Sequence, residues 1–437
     1  MNTNLKPNMS YNKSINLSYY LILLFPVSLI FSKFISELII FVLIFTFIKY
    51  NFSLSKLNFF LEPFGILFLI FLVIIISSSL FSEYKWFSLK KSLSFVRFIL
   101  FSFALCWVLN LKKDLLLNLY KVLIIAQLFL ILGAIFEIIF DYNLIYGKKE
   151  ILNEYARESL KISSFFGDES ILGSYISRLY PLLIALFLIN ISKLDRNFKF
   201  LSYFIFIFSC FVVFFSGERL STFLLISFFL CLIFIVRLNI KNNLIIFFSF
   251  LCVVLFFNSF DAQRERLLNY TFKQITAEDK LIFYTTEHNA HFVSAYKIFL
   301  DNKIIGIGPN TFRHECKLKK YQSYDFFLKQ SDGVTCSSHP HNFFIQLLSE
   351  TGILGAIIPL GIFFFILYKF LNRNIFSKNF KDQNSEENVI NFFLIFFILC
   401  LLPLTPNGNF FNNWLNMITS LGFGVYLHYI KNLRYLR

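Results

Sequence analysis

The chain has 437 residues, of which 57% are hydrophobic, 20% aromatic and 15% charged, with a formal net charge of +15; its mean hydropathy is +0.65. A soluble domain carries about 25% charged residues, so this composition excludes one. The excess of Lys and Arg belongs with a membrane protein with basic loops, and no nucleic-acid partner is expected.

Long apolar stretches recur from Leu17 almost to the C-terminus. A bilayer crossing takes about 20 apolar residues. Twelve stretches read as spans: 17–32, 35–49, 60–81, 92–110, 119–140, 171–192, 199–215, 220–236, 243–259, 342–369, 388–403 and 410–430. Only Ser32 to Phe34 separate the first two, and no small-x-small cleavage site follows the first, so a cleavable signal peptide is not expected. The expectation is an all-α polytopic membrane protein. Residues 1–437 form one membrane domain, with a large, partly helical loop at 260–340 between the ninth and tenth spans.

Lys and Arg orient it. With the N-terminus in the cytoplasm, the inside segments hold Lys49 and Lys56, Lys112 and Lys113, Arg196 and Lys199, and Arg373 and Lys378. Every inside loop is then basic. Both termini are cytoplasmic and 260–340 lies outside, which in a bacterium is the periplasm. The short outer loop also holds Lys85, Lys90 and Lys91, which the rule does not predict. An anionic ligand handled at the outer face accounts for them.

Three arginines sit in or at the edge of spans near that face: Arg97 in "SLSFVRFIL", Arg178 in "GSYISRLYPLL" and Arg219 in "FFSGERLSTF". Arg97 and Arg178 lie about 10 Å in from the outer helix ends at 1.5 Å per residue. One such arginine is explained by snorkelling. Three at one depth suggest a shared cationic pocket, and guanidinium forks match phosphate oxygens.

Five cysteines fall in apolar spans, and only Cys316 and Cys336 lie in the large loop. In an oxidising compartment they are a disulfide candidate. Zinc with His314 and His339 is the rival reading, but no CxxC spacing supports it. The same loop region holds His288, His291, His314, His339 and His341. "TEHNAHFVSAYKIFLDNK" reads as an amphipathic helix with Phe292, Ala295 and Phe299 on one side, and "IIGIGPNTF" as a Gly/Pro turn. In "CSSHPHNFFIQLLSETGILG", Pro340 suits a first helical turn, which puts His341 and Asn342 in that turn. The helix N-terminus disfavours imidazolium and keeps His341 neutral, as a general base requires. Asn342, Gln346 and Ser349 form a polar stripe that should face the protein interior. His314 reads as an ordinary surface or satisfied histidine.

These residues resemble a known family. His341-Asn342 followed by Gly352-x-x-Gly355 resembles the histidine motif of the O-antigen ligase and O-antigen polymerase superfamily. "SGER" (216–219) resembles its short arginine motif. "FFGDESILGSYISRLYPLL" and "GIGPNTFRHEC…CSSHPHNFFIQLLSETGILG" are similar to the polymerase-like branch in which two outer-loop cysteines recur. The resemblance covers residues 160–370.

It implies a metal-independent, inverting glycosyltransferase of the bacterial inner membrane, with no cofactor. The donor would be a glycan on undecaprenyl pyrophosphate at the periplasmic face. Arg219 would bind the pyrophosphate, and His341 would orient or deprotonate the acceptor hydroxyl. Arg97 and Arg178 are added to the phosphate pocket from depth and charge. Arg266, Arg313, His339 and Asn342 complete the candidate substrate contacts. The loop would close as a lid. The acceptor is another lipid-linked repeat for a polymerase, lipid A–core for a ligase, or a protein for an O-oligosaccharyltransferase; the two cysteines favour a polymerase or polymerase-like ligase. A regulator of chain length is a further candidate partner. A glycolipid flippase would also gather arginines around phosphate, but no internal repeat is found and the charges cluster at one face instead of the midplane.

Overall fold

The computed structural model describes residues 9–51, 63–145, 147–148, 161–167, 169–236, 267, 272, 286–322, 336–376, 385–403 and 405–436. Within them the regular structure is helical apart from one two-stranded ribbon, β1 (Tyr142–Asn143) with β2 (Gly147–Lys148). The helices are α1 (Met9–Phe31), α2 (Lys33–Asn51), α3 (Pro63–Phe81), α4 (Lys85–Leu111), α5 (Leu115–Phe140), α6 (Leu172–Asn190), α7 (Arg196–Phe215), α8 (Arg219–Leu230), α9 (Thr286–Asp301), α10 (Phe312–Glu315), α11 (Phe343–Leu371), α12 (Ser385–Leu401) and α13 (Asn413–Leu436).

Nine helices among the described residues are long and apolar enough to cross a membrane. The protein is an all-α multi-pass membrane protein. Eleven of the twelve expected spans coincide with α1–α8 and α11–α13. α12, at 17 residues, is shorter than the nine, and α13 carries Asn413, Asn416, His428 and Lys431. The expected span 243–259 lies outside the described residues.

Apolarity all round a helix suits lipid on one side and packed helices on the other. Phe34, Phe41, Phe45, Phe200 and Ile357 face outward, while α6 is buried along nearly its whole length. α6 packs against α5, α7, α8 and α12, and α13 packs against α4. The polar stripe Asn342, Gln346 and Ser349 is buried, as its spacing on an apolar helix requires.

The site depends on a break in α11. Gly352 has φ 64° and ψ −169°, a region open essentially to glycine alone. Residues 303–308 cross the helix there. Ile307 N–H donates to the Ser349 carbonyl (3.1 Å), Gly308 N–H to the Glu350 carbonyl (2.8 Å), and Ile353 N–H to the Lys303 carbonyl (2.9 Å). Ser78 Oγ of α3 adds a second bond to the Glu350 carbonyl at 2.9 Å. The crossing segment thus satisfies backbone groups that the break would leave bare at membrane depth.

A Cβ on Gly306 would stand 2.4 Å from the Glu350 carbonyl carbon, and one on Gly352 would stand 2.2 Å from the Ile304 carbonyl oxygen. Backbone cannot yield there. Gly306→Ala and Gly352→Ala are each expected to destabilise by at least roughly 1–3 kcal/mol, the cost of a strained φ/ψ alone. Thermal unfolding in detergent checks this, with Gly361→Ala as the control, because nothing lies within 4 Å of that Cβ.

Candidate active site

α11 starts at Phe343, later than Pro340 suggests. Asn342 is extended (φ −146°, ψ 128°), and its Oδ1 accepts the N–H of Phe344 (3.0 Å) and Ile345 (3.2 Å). An asparagine N-cap outweighs the preference of Pro for the first turn. Nδ2 of Asn342 donates to the carbonyls of Pro403 (2.7 Å) and Thr405 (3.3 Å). The expectation that Asn342 contacts substrate is therefore revised: the amide is buried and committed at both ends, and it anchors the turn that carries His341.

His341 has φ +57°, the left-handed region, which a non-glycine residue enters at a cost. Its carbonyl accepts the N–H of Asn407 at 2.7 Å. Asn407 in turn accepts Nη2 of Arg178 at 3.0 Å, and donates to Thr405 Oγ1 at 2.9 Å. Arg178 is 2% exposed. Its Nη1 donates to the Ser174 carbonyl at 3.3 Å. The chain Arg178–Asn407–His341 thus runs from the central helix to the histidine turn. Arg178 is a buried strut behind His341, not an open phosphate ligand.

Four histidines meet at that turn. The His341 ring lies 4.2 Å from that of His339, 5.2 Å from His288 and 5.3 Å from His291. His288 and His291 come from α9, which packs on α11. Burial holds His341 well below the usual imidazole range, at about 4, with the His288 ring adding to it. Burial likewise lowers His288 to about 4, assisted by His291 and Arg219. His339 falls to about 3, by burial and then by His341. His288, His339 and His341 are thus disposed to be neutral at physiological pH, through burial and neighbouring charges more than through a helix end. Among the described residues, no group of three or more His, Cys, Asp or Glu could hold a metal ion.

Arg219 opens α8 within electrostatic reach of His288. The preceding residues hold it there. Gly217 has φ 68°, and the Glu218 carboxylate accepts the N–H groups of Gly173 (2.6 Å) and Ser174 (3.0 Å) at the start of α6. A Cβ on Gly173 would meet Ser216 Oγ at 2.4 Å, so the "SGER" turn seats directly on α6. Ser216, Gly217 and Glu218 build the turn.

The three membrane arginines do not form one pocket. Arg97 is paired with Glu37 of α2, Nε to Oε2 at 2.8 Å and Nη2 to Oε1 at 2.9 Å, and Nη2 also donates to Asn413 Oδ1 at 2.8 Å. A carboxylate partner explains a guanidinium inside a span, and Arg97 is committed to Glu37 and Asn413 at the junction of α2, α4 and α13. Arg313 donates to Asn310 Oδ1 at 3.0 Å and stands within electrostatic reach of His339. Arg266 lies outside the described residues. Cys316 and Cys336 are joined by a disulfide, with Cα atoms 5.2 Å apart. His314 stacks on Tyr84 at 4.6 Å and meets Phe87 edge-on at 5.0 Å, a packed structural contact.

A buried amide network closes the site from behind. Gln346 Nε2 donates to Glu350 Oε2 (2.9 Å) and Asn409 Oδ1 (3.0 Å), and Asn409 Nδ2 to Asn310 Oδ1 (2.8 Å). Glu350 also accepts the N–H groups of Asn310 (2.8 Å) and Phe312 (3.1 Å). The sequence reading gave no role to Asn407, Asn409 or Glu350. The signal available was the Asn, Gly and Pro cluster "TPNGNF" beside apolar spans, a composition that fits irregular backbone at a cavity.

Residues 204–360 match the family model described as O-antigen ligase. The match takes in α8, the Arg219 turn, α9, the crossing segment and the His341 turn. This part of the chain is similar to the O-antigen ligase and polymerase superfamily, and the match supports a membrane glycosyltransferase function in O-antigen processing. No curated protein matches the chain.

His288, His339 and His341 each bind a proton less readily folded than unfolded, from an ordinary value of 6.5. As pH falls through 6.5 toward 4, the opened state gains protons that the docked state excludes. The docking of α9 is thus fully stable above that window and weakens within it. Hydrogen exchange of residues 286–301, corrected for the intrinsic pH dependence, is expected to lose protection between pH 7 and pH 5. Unchanged protection would contradict the buried cluster.

Proposed function

We propose that the protein is an inner-membrane glycosyltransferase that polymerises or transfers an O-antigen-type glycan carried on undecaprenyl pyrophosphate. The single membrane domain works at its periplasmic face, with both termini cytoplasmic and the 260–340 loop as lid. The observation that supports this reading is the gathering of His288, His291 and His339 around His341, with Arg219 within electrostatic reach of His288.

The chemistry is one displacement. The acceptor hydroxyl oxygen bonds to the anomeric carbon as the bond from that carbon to the pyrophosphate oxygen breaks. The electron pair leaves with the lipid pyrophosphate, and the anomeric configuration inverts. His341 orients the hydroxyl and takes its proton. Arg219 meets the charge that develops on the pyrophosphate. An imidazole with a pKa near 4 is a weak base alone. An anionic pyrophosphate beside His288 and Arg219 favours imidazolium and raises it, so base strength comes with the donor. No metal or cofactor is assigned a role. Arg313 and His339 border the donor site, with Arg266 as a further contact. Arg178 and Asn342 act through the position of His341, and Arg97 through the α2–α4–α13 junction.

The paired cysteines favour a polymerase, whose acceptor is a second lipid-linked repeat, or a polymerase-like ligase. A lipid A–core or protein acceptor remains the alternative.

Expression of His341→Ala and Arg219→Ala in the native host tests this, with surface glycan read on a gel and membrane levels of each variant matched. Both are expected to abolish surface glycan, each losing at least about 100-fold in transfer. Accumulated single repeats on the lipid carrier would identify a polymerase, and accumulated long chains a ligase. Normal glycan in both variants would overturn the transferase reading.

A further inference from the structure

We infer that Lys90, Lys91 and Arg313 form a second anion-binding subsite, which holds a phosphate or pyrophosphate group carried by the acceptor. The inference rests on the transferase reading above and adds a charged contact for the second substrate.

The start of α4 and the short α10 build it. Tyr84, Phe87 and Lys91 recur at i, i+3 and i+7, one face of a helix. α10 docks on that face. His314 meets both Tyr84 and Phe87, and the Arg313 guanidinium lies over the Phe87 ring at 5.9 Å. Lys91 is half-buried one turn further along, within electrostatic reach of Arg313 and Lys90. A Cβ on Gly308 would stand 2.7 Å from Ser82 Oγ and Ser88 Oγ. The crossing segment that leads into α10 therefore seats tightly on the same turn.

The charge there is not balanced. Among the described residues, no carboxylate forms an ion pair with Lys90, Lys91 or Arg313. Glu37 acts on Lys91 only from a distance, and its carboxylate is committed to Arg97. Glu83 and Glu315 act on each other. Like charges crowded at a membrane face without partners are costly and mark the place of a ligand. An ammonium beside a guanidinium fork suits phosphate oxygens. Lys90 and Lys91 are also the lysines that the charge rule does not predict in a short outer loop.

Position assigns the ligand. Arg219 bears on His288, whereas Arg313 bears on His339, and both rings flank His341. One cationic centre thus stands on the His288 side of His341 and another on the His339 side. The donor pyrophosphate occupies the first. A phosphate group at the second belongs to the molecule whose hydroxyl approaches His341. Arg313 then stands between the two substrates, at the border of the donor site, and the lysines meet the acceptor.

The test uses the full-length protein in phosphatidylcholine nanodiscs with a lipid-linked donor and two acceptors. Both acceptors carry the same glycan on a short alkyl linker, which ends in a pyrophosphate ester in one and in an alcohol in the other. Neither has a leaving group on its anomeric carbon, so neither acts as donor. Lys91→Gln, alone and with Lys90→Gln, is expected to raise KM for the pyrophosphate acceptor by about 10-fold, with KM for the alcohol and for the donor unchanged. A rise for both acceptors or for the donor, or no change in variants with wild-type melting, would contradict the inference.

Amine acylation read by mass spectrometry needs no turnover. Inorganic pyrophosphate is expected to protect Lys90 and Lys91, in the wild type and in Arg219→Ala alike, and not Lys112 at the opposite end of α4. Protection lost in Arg219→Ala would return the lysines to the donor site. Equal protection by phosphatidylglycerol nanodiscs without pyrophosphate would make them an ordinary headgroup contact. Either result overturns the subsite. If the wild type transferred to neither acceptor, the transferase reading would fall, and the acylation would still decide the subsite.

Discussion

The hydrogen bond from Asn407 N–H to the His341 carbonyl, at 2.7 Å, holds the candidate site together. It pins a histidine in a left-handed conformation that such a residue does not favour on its own. Asn407 is itself held by Arg178, a buried cation on the most enclosed helix. Asn342 fixes the other side of the turn by capping α11 and bonding to the 403–405 backbone. A lone buried guanidinium is expensive in a bilayer. Here it supports a strained turn on a second element, and the carboxylate of Glu218 lies within its electrostatic reach.

The same economy governs the rest of the loop-bearing face. Membrane depth allows irregular backbone only where its polar groups find partners. The break at Gly352 is filled by the 303–308 segment, and the carboxylate of Glu350 collects backbone donors from 310 and 312. This ties the extramembrane loop to the helix that carries His341. α9, which leads into the crossing and carries two histidines of its own, can then sit over the turn. Burial lowers the proton affinity of His288, as it does that of His339 and His341.

Much of the fold was legible in the sequence because hydrophobic length is a direct consequence of bilayer thickness. The stretches that became α3, α5 and α6 announce themselves. The site was legible in part. "SGER" and "SSHPHN" mark residues that the fold brings within one region, since Arg219 and His341 both neighbour His288. What failed were inferences needing a tertiary partner. Arg97 looked free because Glu37 is 60 positions away on another helix. Arg178 looked like a ligand because nothing in its own span reveals Asn407. The start of α11 was misplaced because Pro340 and Asn342 compete as start signals, and the side-chain cap prevails. His288 and His291 had no assigned role because α9 reads alone as a surface amphipathic helix.

In the proposed reaction His341 acts on the acceptor and Arg219 on the donor pyrophosphate, so the two should fail differently. The most direct measurement is donor binding and single-turnover transfer by the purified protein with an undecaprenyl-pyrophosphate-linked repeat. His341→Ala should bind the donor within about 3-fold of wild type and lose transfer, while Arg219→Ala should lose donor affinity as well as rate. Transfer surviving at wild-type rate in His341→Ala, with donor binding intact in both variants, would contradict the account.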